Sequence, residues 1–280
     1  MEKPIRIPKS RLGALQVAMA AIIWSFAGVF SKSLPFNALT TNGTRSLVAA
    51  LLLGLARGSF RVRPTKGTLL GALGCALTSI LFMVATKLTT SAHAIVLQYA
   101  MPVFVILFSW LFLGQRPSRR HVLIAALIMA GVALCSWDGL AGGNPLGDAI
   151  ALLSAVTFAL VFFCARLPGA DPRDYTYLGM VFCVPFALSA FFDPGITANP
   201  VHWLIVLGLG VCLAGGYYYI SKSMGNVSPI SAALLSNLEP ILNPLWVFLF
   251  LGERPGPLTI IGASIVLVTA TVYSLLPAQE

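Results

Sequence analysis

The stretch Met101 to Pro117, MPVFVILFSWLFLGQRP, recurs 138 positions later as Glu239 to Pro255, EPILNPLWVFLFLGERP. The two stretches align without gaps and are identical at 8 of 17 positions, including Pro102 and Pro240 near their starts and the Arg-Pro pairs at their ends. A segment that returns after about half the length of a chain indicates an internal duplication. The predicted fold follows from what lies between the two copies.

The amino-acid composition is typical of a membrane protein. Of the 280 residues, 58% are hydrophobic and only 10% are charged, which is less than half the charged share of an ordinary soluble domain. Ten apolar segments are long enough to cross a hydrocarbon layer of about 30 Å. They cover residues 12–31, 37–56, 67–86, 92–113, 120–137, 145–165, 175–192, 201–220, 230–251 and 258–276. Because these runs are continuous rather than alternating, we expect an all-α polytopic protein with ten transmembrane helices.

The basic residues predict how the chain is oriented. The net charge of +9 does not indicate nucleic-acid binding, because the Lys and Arg residues cluster at the ends of apolar segments. One side of the membrane would carry 14 of them, namely Lys3, Arg6, Lys9, Arg11, Arg57, Arg61, Arg63, Lys66, Arg116, Arg119, Arg120, Arg166, Arg173 and Lys222. The other side would carry 3, namely Lys32, Lys87 and Arg254. The positive-inside rule therefore predicts that both termini are cytoplasmic.

The position of the repeat within each half predicts its symmetry. Each copy ends the fourth apolar segment of a half, so residues 1–138 and 139–280 would each form a five-helix repeat. Because five is odd, two consecutive repeats cross the membrane in opposite senses, with Gln115 inside and Glu253 outside. Inverted repeats of this kind support alternating access in secondary transporters, around a central cavity. The alternative is that duplication only built a stable bundle.

Two charged residues are predicted to lie near the middle of the membrane. Arg45 is in the second segment and Glu239 in the ninth, each about 13 Å from the nearer end of its helix. An ionisable group at that depth costs at least about 2.5 kcal/mol unless it faces protein or water. Both should therefore point into the bundle, either to bind substrate or a proton, or only to tie helices together.

Further candidate site residues lie on the same two helices or carry aromatic rings. Ser236 and Asn243 share one helical face with Glu239, while Gln98 and His93 lie on the fourth segment. Small polar residues also pack membrane helices together without binding a ligand, so both interpretations stay open. Aromatic candidates for the cavity wall are Trp24, Tyr99, Tyr217 and Tyr218, although tyrosine is also common at membrane interfaces.

The repeated prolines Pro102 and Pro240 interrupt helical hydrogen bonding in both copies, and we interpret them as hinges. A static kink is the alternative. No phosphate loop or nucleotide motif occurs in the sequence, and the five cysteines are neither paired as Cys-x-x-Cys nor even in number. We therefore expect no cofactor and no metal. A membrane-embedded enzyme would need a nucleophile with a base, which the sequence does not offer, so we expect a transporter.

These features together resemble a known family. The endings Leu-Gly-Gln-Arg-Pro and Leu-Gly-Glu-Arg-Pro, the triplet Leu238-Glu239-Pro240 and the arginine in Thr44-Arg45-Ser46 resemble the EamA-type drug/metabolite transporter superfamily, and within it the YddG group of amino-acid exporters. The resemblance implies export of aromatic and other neutral amino acids from the cytoplasm across the bacterial inner membrane. It also leaves open another small metabolite or drug, such as a nucleoside, a sugar conjugate or a cationic compound.

If the substrate is an amino acid, its ammonium group would face Glu239 and tyrosine rings. Its carboxylate would face Arg45 or the amides of Asn243 and Gln98. The expected partners are such small molecules and membrane lipid, not nucleic acid, and the protein is expected to be a monomer or a loose dimer. Uniport and proton antiport both stay open.

Overall fold

A computed structural model describes residues 8–89, 91–137, 144–251 and 257–275. Over these ranges the regular structure is entirely helical. The helices are α1 Lys9–Ser25, α2 Ala27–Lys32, α3 Ala38–Arg57, α4 Lys66–Leu88, α5 Ser91–Gln98, α6 Met101–Leu113, α7 Arg119–Trp137, α8 Pro145–Phe163, α9 Pro172–Cys183, α10 Pro200–Ser223, α11 Pro229–Ser236, α12 Glu239–Leu251 and α13 Pro257–Leu275. Two 3₁₀ segments cover Cys164–Arg166 and Val184–Phe192.

Four helical stretches are long and apolar enough to cross a membrane without interruption. They are Lys66–Leu88, Pro145–Arg166, Pro172–Phe192 and Pro200–Ser223. The all-helical, apolar architecture expected from the sequence is therefore confirmed in its broad form. The remaining predicted segments also coincide with helices, but some of them are divided into shorter pieces.

The fourth and ninth predicted segments are divided at equivalent positions. Residues 99–100 separate α5 from α6, and residues 237–238 separate α11 from α12. The paired helices have the same lengths in both copies, 8 residues followed by 13. The duplication seen in the sequence is thus repeated in the local backbone. The sequence predicts single helices weakened at a proline, whereas in the structure each helix ends before the proline and a new one starts.

The prolines account for these divisions. Pro102 and Pro240 are each the second residue of the new helix, a position that proline tolerates because its missing N–H has no partner in a first turn. Neither can donate to the carbonyl four residues earlier, on Gln98 or Ser236. The turns are closed instead by short backbone bonds, such as Val103 N to Ala100 O at 3.1 Å and Ile241 N to Leu238 O at 3.3 Å.

The seventh predicted segment changes from α-helix to 3₁₀-helix at Val184, directly before Pro185. Sequence analysis gave Pro185 no role, but this tighter segment packs against α3. The contact requires Gly43, because a Cβ atom there would lie 2.0 Å from the backbone nitrogen of Ala187. The backbones therefore approach more closely than any other residue type would allow.

Asp193 follows the 3₁₀ segment and joins it to the start of α3. Its carboxylate accepts hydrogen bonds from the backbone nitrogens of Asn37 at 2.8 Å and Gly195 at 2.9 Å. Burial disfavours the charged form, but these hydrogen bonds outweigh that effect and lower the pKa of Asp193. The carboxylate thus closes one end of the bundle in its ionised form.

Helices from the two halves pack against each other in a reciprocal pattern. From the first half, α4 packs on α8 and α9 of the second half. From the second half, α10 packs on α1 and α3 of the first half. Likewise α5 and α6 contact α8, whereas α11 and α12 contact α1, and α7 packs against α13. The main hydrophobic core contains residues from both halves. A central space between the halves is left where these contacts meet.

Candidate functional site

A central cavity of about 60 Å³ lies between the two halves. Its volume is sufficient for a few water molecules. Helices from both halves contribute to its wall, which is formed by Trp24, Ala27, Arg45, Thr78, Ser79, Phe82, Gln98, Phe158, Leu209, Leu213, Tyr217 and Glu239. Arg45 and Glu239, the two ionisable residues predicted for the membrane interior, are thus brought together on one cavity.

Arg45 is held by one of its three guanidinium nitrogens. The side chain is only 5% exposed, and Nη2 donates to Asn42 Oδ1 at 3.2 Å and to Ser79 Oγ at 3.1 Å. Ser79 in turn donates to Asn42 Oδ1 at 2.6 Å, so the three groups form a small polar network between α3 and α4. Within the described part of the chain, Nε has no hydrogen-bond partner. The guanidinium is therefore positioned, but part of its donor capacity is unused.

Glu239 is the first residue of α12 and is 9% exposed. Its Oε2 accepts a hydrogen bond from the hydroxyl of Tyr99. Tyr99 lies in the interruption between α5 and α6, while Glu239 follows the interruption between α11 and α12. The two divided helices thus meet through this bond at the centre of the protein. The bond is asymmetric, because Met101 is the counterpart of Glu239 and Asn237 is the counterpart of Tyr99.

No ion pair joins Arg45 to Glu239 among the described residues, although both line the same cavity. The ion pair that the described residues do form, between Arg57 and Asp174, lies elsewhere. A buried charge without a counter-charge costs several kcal/mol. The cavity therefore presents a guanidinium from α3 and a carboxyl group from α12 that form no ion pair with each other.

Aromatic rings form one wall beside these charges. The ring of Trp24 packs edge-on against Phe158 at 5.8 Å and against Tyr217 at 5.2 Å between centroids. The indole nitrogen of Trp24 has no partner among the described groups. Gly216 on α10 makes this position accessible to Trp24, because a Cβ atom there would lie 2.0 Å from the indole nitrogen. The wall therefore offers apolar ring surface, while the indole nitrogen of Trp24 is packed against α10.

Some of the other predicted residues lie at this cavity and some do not. Gln98 lines it, and its Nε2 donates to Ser154 Oγ at 3.3 Å. The hydroxyl of Ser236 donates to Ala232 O of its own helix, at 2.8 Å, and is not part of the wall. Tyr218 faces a different pocket, where its hydroxyl bonds to Lys222. The side chains of His93 and Asn243 lie outside the described structure.

Sequence reasoning missed Asn42, Thr78, Ser79 and Phe158. Thr78 and Ser79 were detectable in principle, because they are the polar pair within the apolar stretch 69–85 of α4. Asn42 lies three positions before Arg45, on the same helical face. Phe158 carries no such signal, since apolar spans contain many phenylalanines and only the packing places this one at the cavity.

The sequence profile of the EamA-like transporter family matches the chain twice, over residues 11–137 and again over residues 145–275. This chain belongs to the EamA-like transporter family. Membership accounts for the apolar helices and for the repeated segment that ends in Arg-Pro. It also indicates that the central cavity belongs to a transporter rather than to an enzyme.

Several EamA-like relatives are named exporters. The pseudopaline exporter CntI of Pseudomonas aeruginosa (strain UCBPP-PA14) is 27% identical over 191 residues, which is 65% of this chain and 66%, just under two thirds, of that protein. The aromatic amino acid exporter YddG of Ancylobacter novellus is 26% identical over 95% of this chain and 99% of its own length. The probable terminal-alkyne amino-acid exporter of Streptantibioticus cattleyicolor is 25% identical over 79% of each chain.

A solved structure has the same fold. A crystal structure superposes with a TM-score of 0.73 and covers 94% of this chain and 96% of the solved one, at 22% sequence identity. At that identity the likeness concerns the fold alone. The arrangement of helices around the central cavity is therefore one that a known protein also adopts.

Proposed function

We propose that this EamA-like transporter exports neutral amino acids, aromatic ones among them, from the cytoplasm across the bacterial inner membrane. The observation that carries the proposal is that Arg45 and Glu239 are both buried and line the same cavity without forming an ion pair. An amino acid is a zwitterion whose carboxylate and ammonium would each receive a counter-charge there. Because both protein charges are already desolvated, the ligand charges offset a cost that the empty site bears in full.

The donors and acceptors on the wall define a binding pose. In this pose the guanidinium of Arg45, whose Nε has no hydrogen-bond partner among the described residues, binds the substrate carboxylate through its planar set of donors. The carboxylate of Glu239, with Tyr99 beside it, faces the ammonium group. The side chain of the substrate then lies along Trp24 and Phe158, where ring edges and faces favour apolar or aromatic groups.

Alternating access is the transport mechanism that the fold favours. The matched interruptions, the reciprocal packing of the halves and the two matches to one family profile support an inverted repeat of residues 1–138 and 139–280. The cavity is lined by residues of both halves, so in the proposed mechanism the helices around it separate on one side at a time. Pro102 and Pro240 mark the points at which the divided helices would bend.

The membrane topology can be tested by labelling cysteines introduced one at a time. We expect Gln115→Cys to react with a membrane-impermeant maleimide only from the cytoplasmic side, and Glu253→Cys only from the opposite side. Glu253 lies outside the described residues, so the prediction rests on the odd number of helices in each repeat. The unaltered protein, whose described cysteines lie within helical segments, is the control. Labelling of both positions from one side would contradict the inverted repeat.

A second candidate is export of a different small metabolite or drug. It is favoured by the relative named as a pseudopaline exporter, which matches this chain over 191 residues. That match omits about a third of each chain. In the proposed pose, Arg45 and Glu239 favour a ligand with two separated opposite charges, which cationic drugs and uncharged nucleosides do not have.

The proposal is tested by counterflow in liposomes that contain the purified protein. Neutral amino acids inside the vesicles are expected to accelerate uptake of labelled phenylalanine or leucine, whereas nucleosides and monovalent cationic drugs are not. The same vesicles with and without an imposed pH gradient would distinguish uniport from proton antiport. Exchange by nucleosides or cations but not by amino acids would overturn the proposal in favour of the second candidate.

A further inference from the structure

A second pocket, of about 200 Å³, lies between the C-terminal ends of α3 and α10 and the start of α9. Its polar wall is formed by Arg57, Arg173, Thr176, Tyr218, Ser221 and Lys222; we call it the Lys222 pocket. Arg57 follows Arg45 by 12 residues along α3, which is about 18 Å along a helix axis. The Lys222 pocket is therefore separate from the central cavity.

The charges of the Lys222 pocket do not balance. Three cationic side chains, Arg57, Arg173 and Lys222, line it. The carboxylate of Asp174 is bound to Arg57, whose Nε lies 3.1 Å from Oδ1. One acid therefore offsets one base, and the side chains of Arg173 and Lys222 form no ion pair with a described residue; Asp171, nearby, caps the backbone nitrogen of Arg173.

The unused hydrogen-bonding capacity of the pocket is mainly that of cationic donors. Lys222 donates to the hydroxyl of Tyr218, which leaves two of its three N–H groups. The guanidinium of Arg173 has no hydrogen-bond partner within the described structure. By contrast, Thr176 and Ser221 donate their hydroxyl protons to backbone carbonyls of their own helices, at 2.8 and 2.9 Å. A ligand that fills this pocket has to accept hydrogen bonds and carry negative charge.

The location of the pocket further limits the kinds of ligand that could bind there. Arg57 is the last residue of α3, Lys222 the last but one of α10, and Arg173 the second of α9. Because α10 has the length and hydropathy of a membrane-crossing helix, its end lies at the level of lipid headgroups. Phosphate is the anion that this level presents, and Arg and Lys bind it through forked and single donors.

We propose that the Lys222 pocket binds a phosphate group through Lys222 and Arg173, beside Arg57, which is already bound to Asp174. Two ligands share this chemistry, the headgroup of an anionic phospholipid and a free phosphate ion. The site does not depend on the nature of the transported substrate. It would join the ends of three helices that belong to both halves of the chain, and so stabilise their relative position.

The test uses the purified protein in a neutral detergent and follows its thermal unfolding. One arm adds sodium phosphate, compared with sodium chloride at equal ionic strength. The other adds phosphatidylglycerol, compared with phosphatidylcholine. We expect one of the two phosphate ligands to raise Tm by several degrees over its comparison. A rise with phosphate identifies the free ion as a ligand, and a rise with phosphatidylglycerol alone identifies the headgroup.

Substitutions in the Lys222 pocket test whether the rise in Tm comes from binding at that pocket. The double variant Lys222→Gln with Arg173→Gln is expected to lose most of the ligand-induced rise. The matched control is Arg11→Gln with Arg63→Gln, which removes two exposed positive charges outside the pocket and should keep the rise. If the double variant does not fold, Arg173→Gln alone serves, because that side chain has no hydrogen-bond partner in the described structure. No rise with either ligand, or an equal loss in the control, would overturn the proposal.

Discussion

Glu239→Gln is expected to reduce amino-acid exchange in liposomes at least about tenfold, chiefly through a higher apparent KM. The substitution keeps the shape of the side chain but removes the charge that faces the ammonium group. A hydrogen bond to a charged group contributes about 1.5–3 kcal/mol, and about 1.4 kcal/mol corresponds to a factor of ten in binding. The loss should therefore be close to one or two orders of magnitude.

Two further variants make the Glu239 result specific. Tyr99→Phe removes the hydroxyl that donates to Glu239 but leaves the carboxylate, so its expected effect is smaller. Asp171→Asn is the matched control, because it also converts an acid to its amide. It lies on the surface, and its oxygen can still cap α9 at the backbone nitrogen of Arg173. Unchanged exchange by Glu239→Gln, in protein of normal thermal stability, would remove Glu239 from the site.

Arg45→Gln is expected to reduce exchange by a similar or larger factor. Arginine presents a planar fork that no other side chain reproduces, and the guanidinium of Arg45 lines the cavity with part of its donor capacity unused. Arg45→Lys keeps the charge without the fork and should recover only part of the activity. Exchange in the same liposome assay measures both variants.

The Arg45 variants need a control for folding, because Nη2 also bonds to Asn42 and Ser79. Ser79→Ala breaks part of that network without changing a charge. We expect it to lower the thermal stability about as much as Arg45→Gln while retaining more of the exchange activity. Equal loss of exchange in both variants would mean that Arg45 acts only by joining α3 to α4.

The sequence predicted most of the helical architecture, because apolar length and repeated prolines are local signals. The interruptions at residues 99–100 and 237–238 follow directly from Pro102 and Pro240. The exact form did not follow, since a proline permits either a kinked helix or two helices. The 3₁₀ segment after Val184 was missed because the sequence alone did not show that α3 approaches it at Gly43.

The predicted site depended on which residues face the centre. Depth in the membrane placed Arg45 and Glu239 at the cavity, because both are ionisable residues within apolar segments. Helical periodicity was less reliable than depth as a guide to the site. It placed Ser236 on one face with Glu239, but the two residues belong to different helices, α11 and α12. Three consecutive tyrosines gave no means of choosing between Tyr217, which lines the cavity, and Tyr218, which lines the Lys222 pocket.

The partnership of Tyr99 with Glu239 could not have been predicted, because the residues lie 140 positions apart. It arises where the two divided helices cross. The repeat did not indicate this contact, because neither residue has an identical counterpart in the other half. A site for one polar ligand within a duplicated fold thus depends on the positions at which the copies differ.

The central claim is that Arg45 and Glu239 hold opposite ends of one zwitterion. It is tested most directly by measuring the affinity of the purified protein for an amino acid, its amide and its des-amino acid, with Glu239→Gln and Arg45→Gln beside the unaltered chain. We predict that each analogue binds the unaltered protein about tenfold or more weakly than the amino acid. The amide should then be sensitive only to Glu239→Gln, and the des-amino acid only to Arg45→Gln. Equal binding of all three ligands, or equal sensitivity of both analogues to both variants, would contradict the claim.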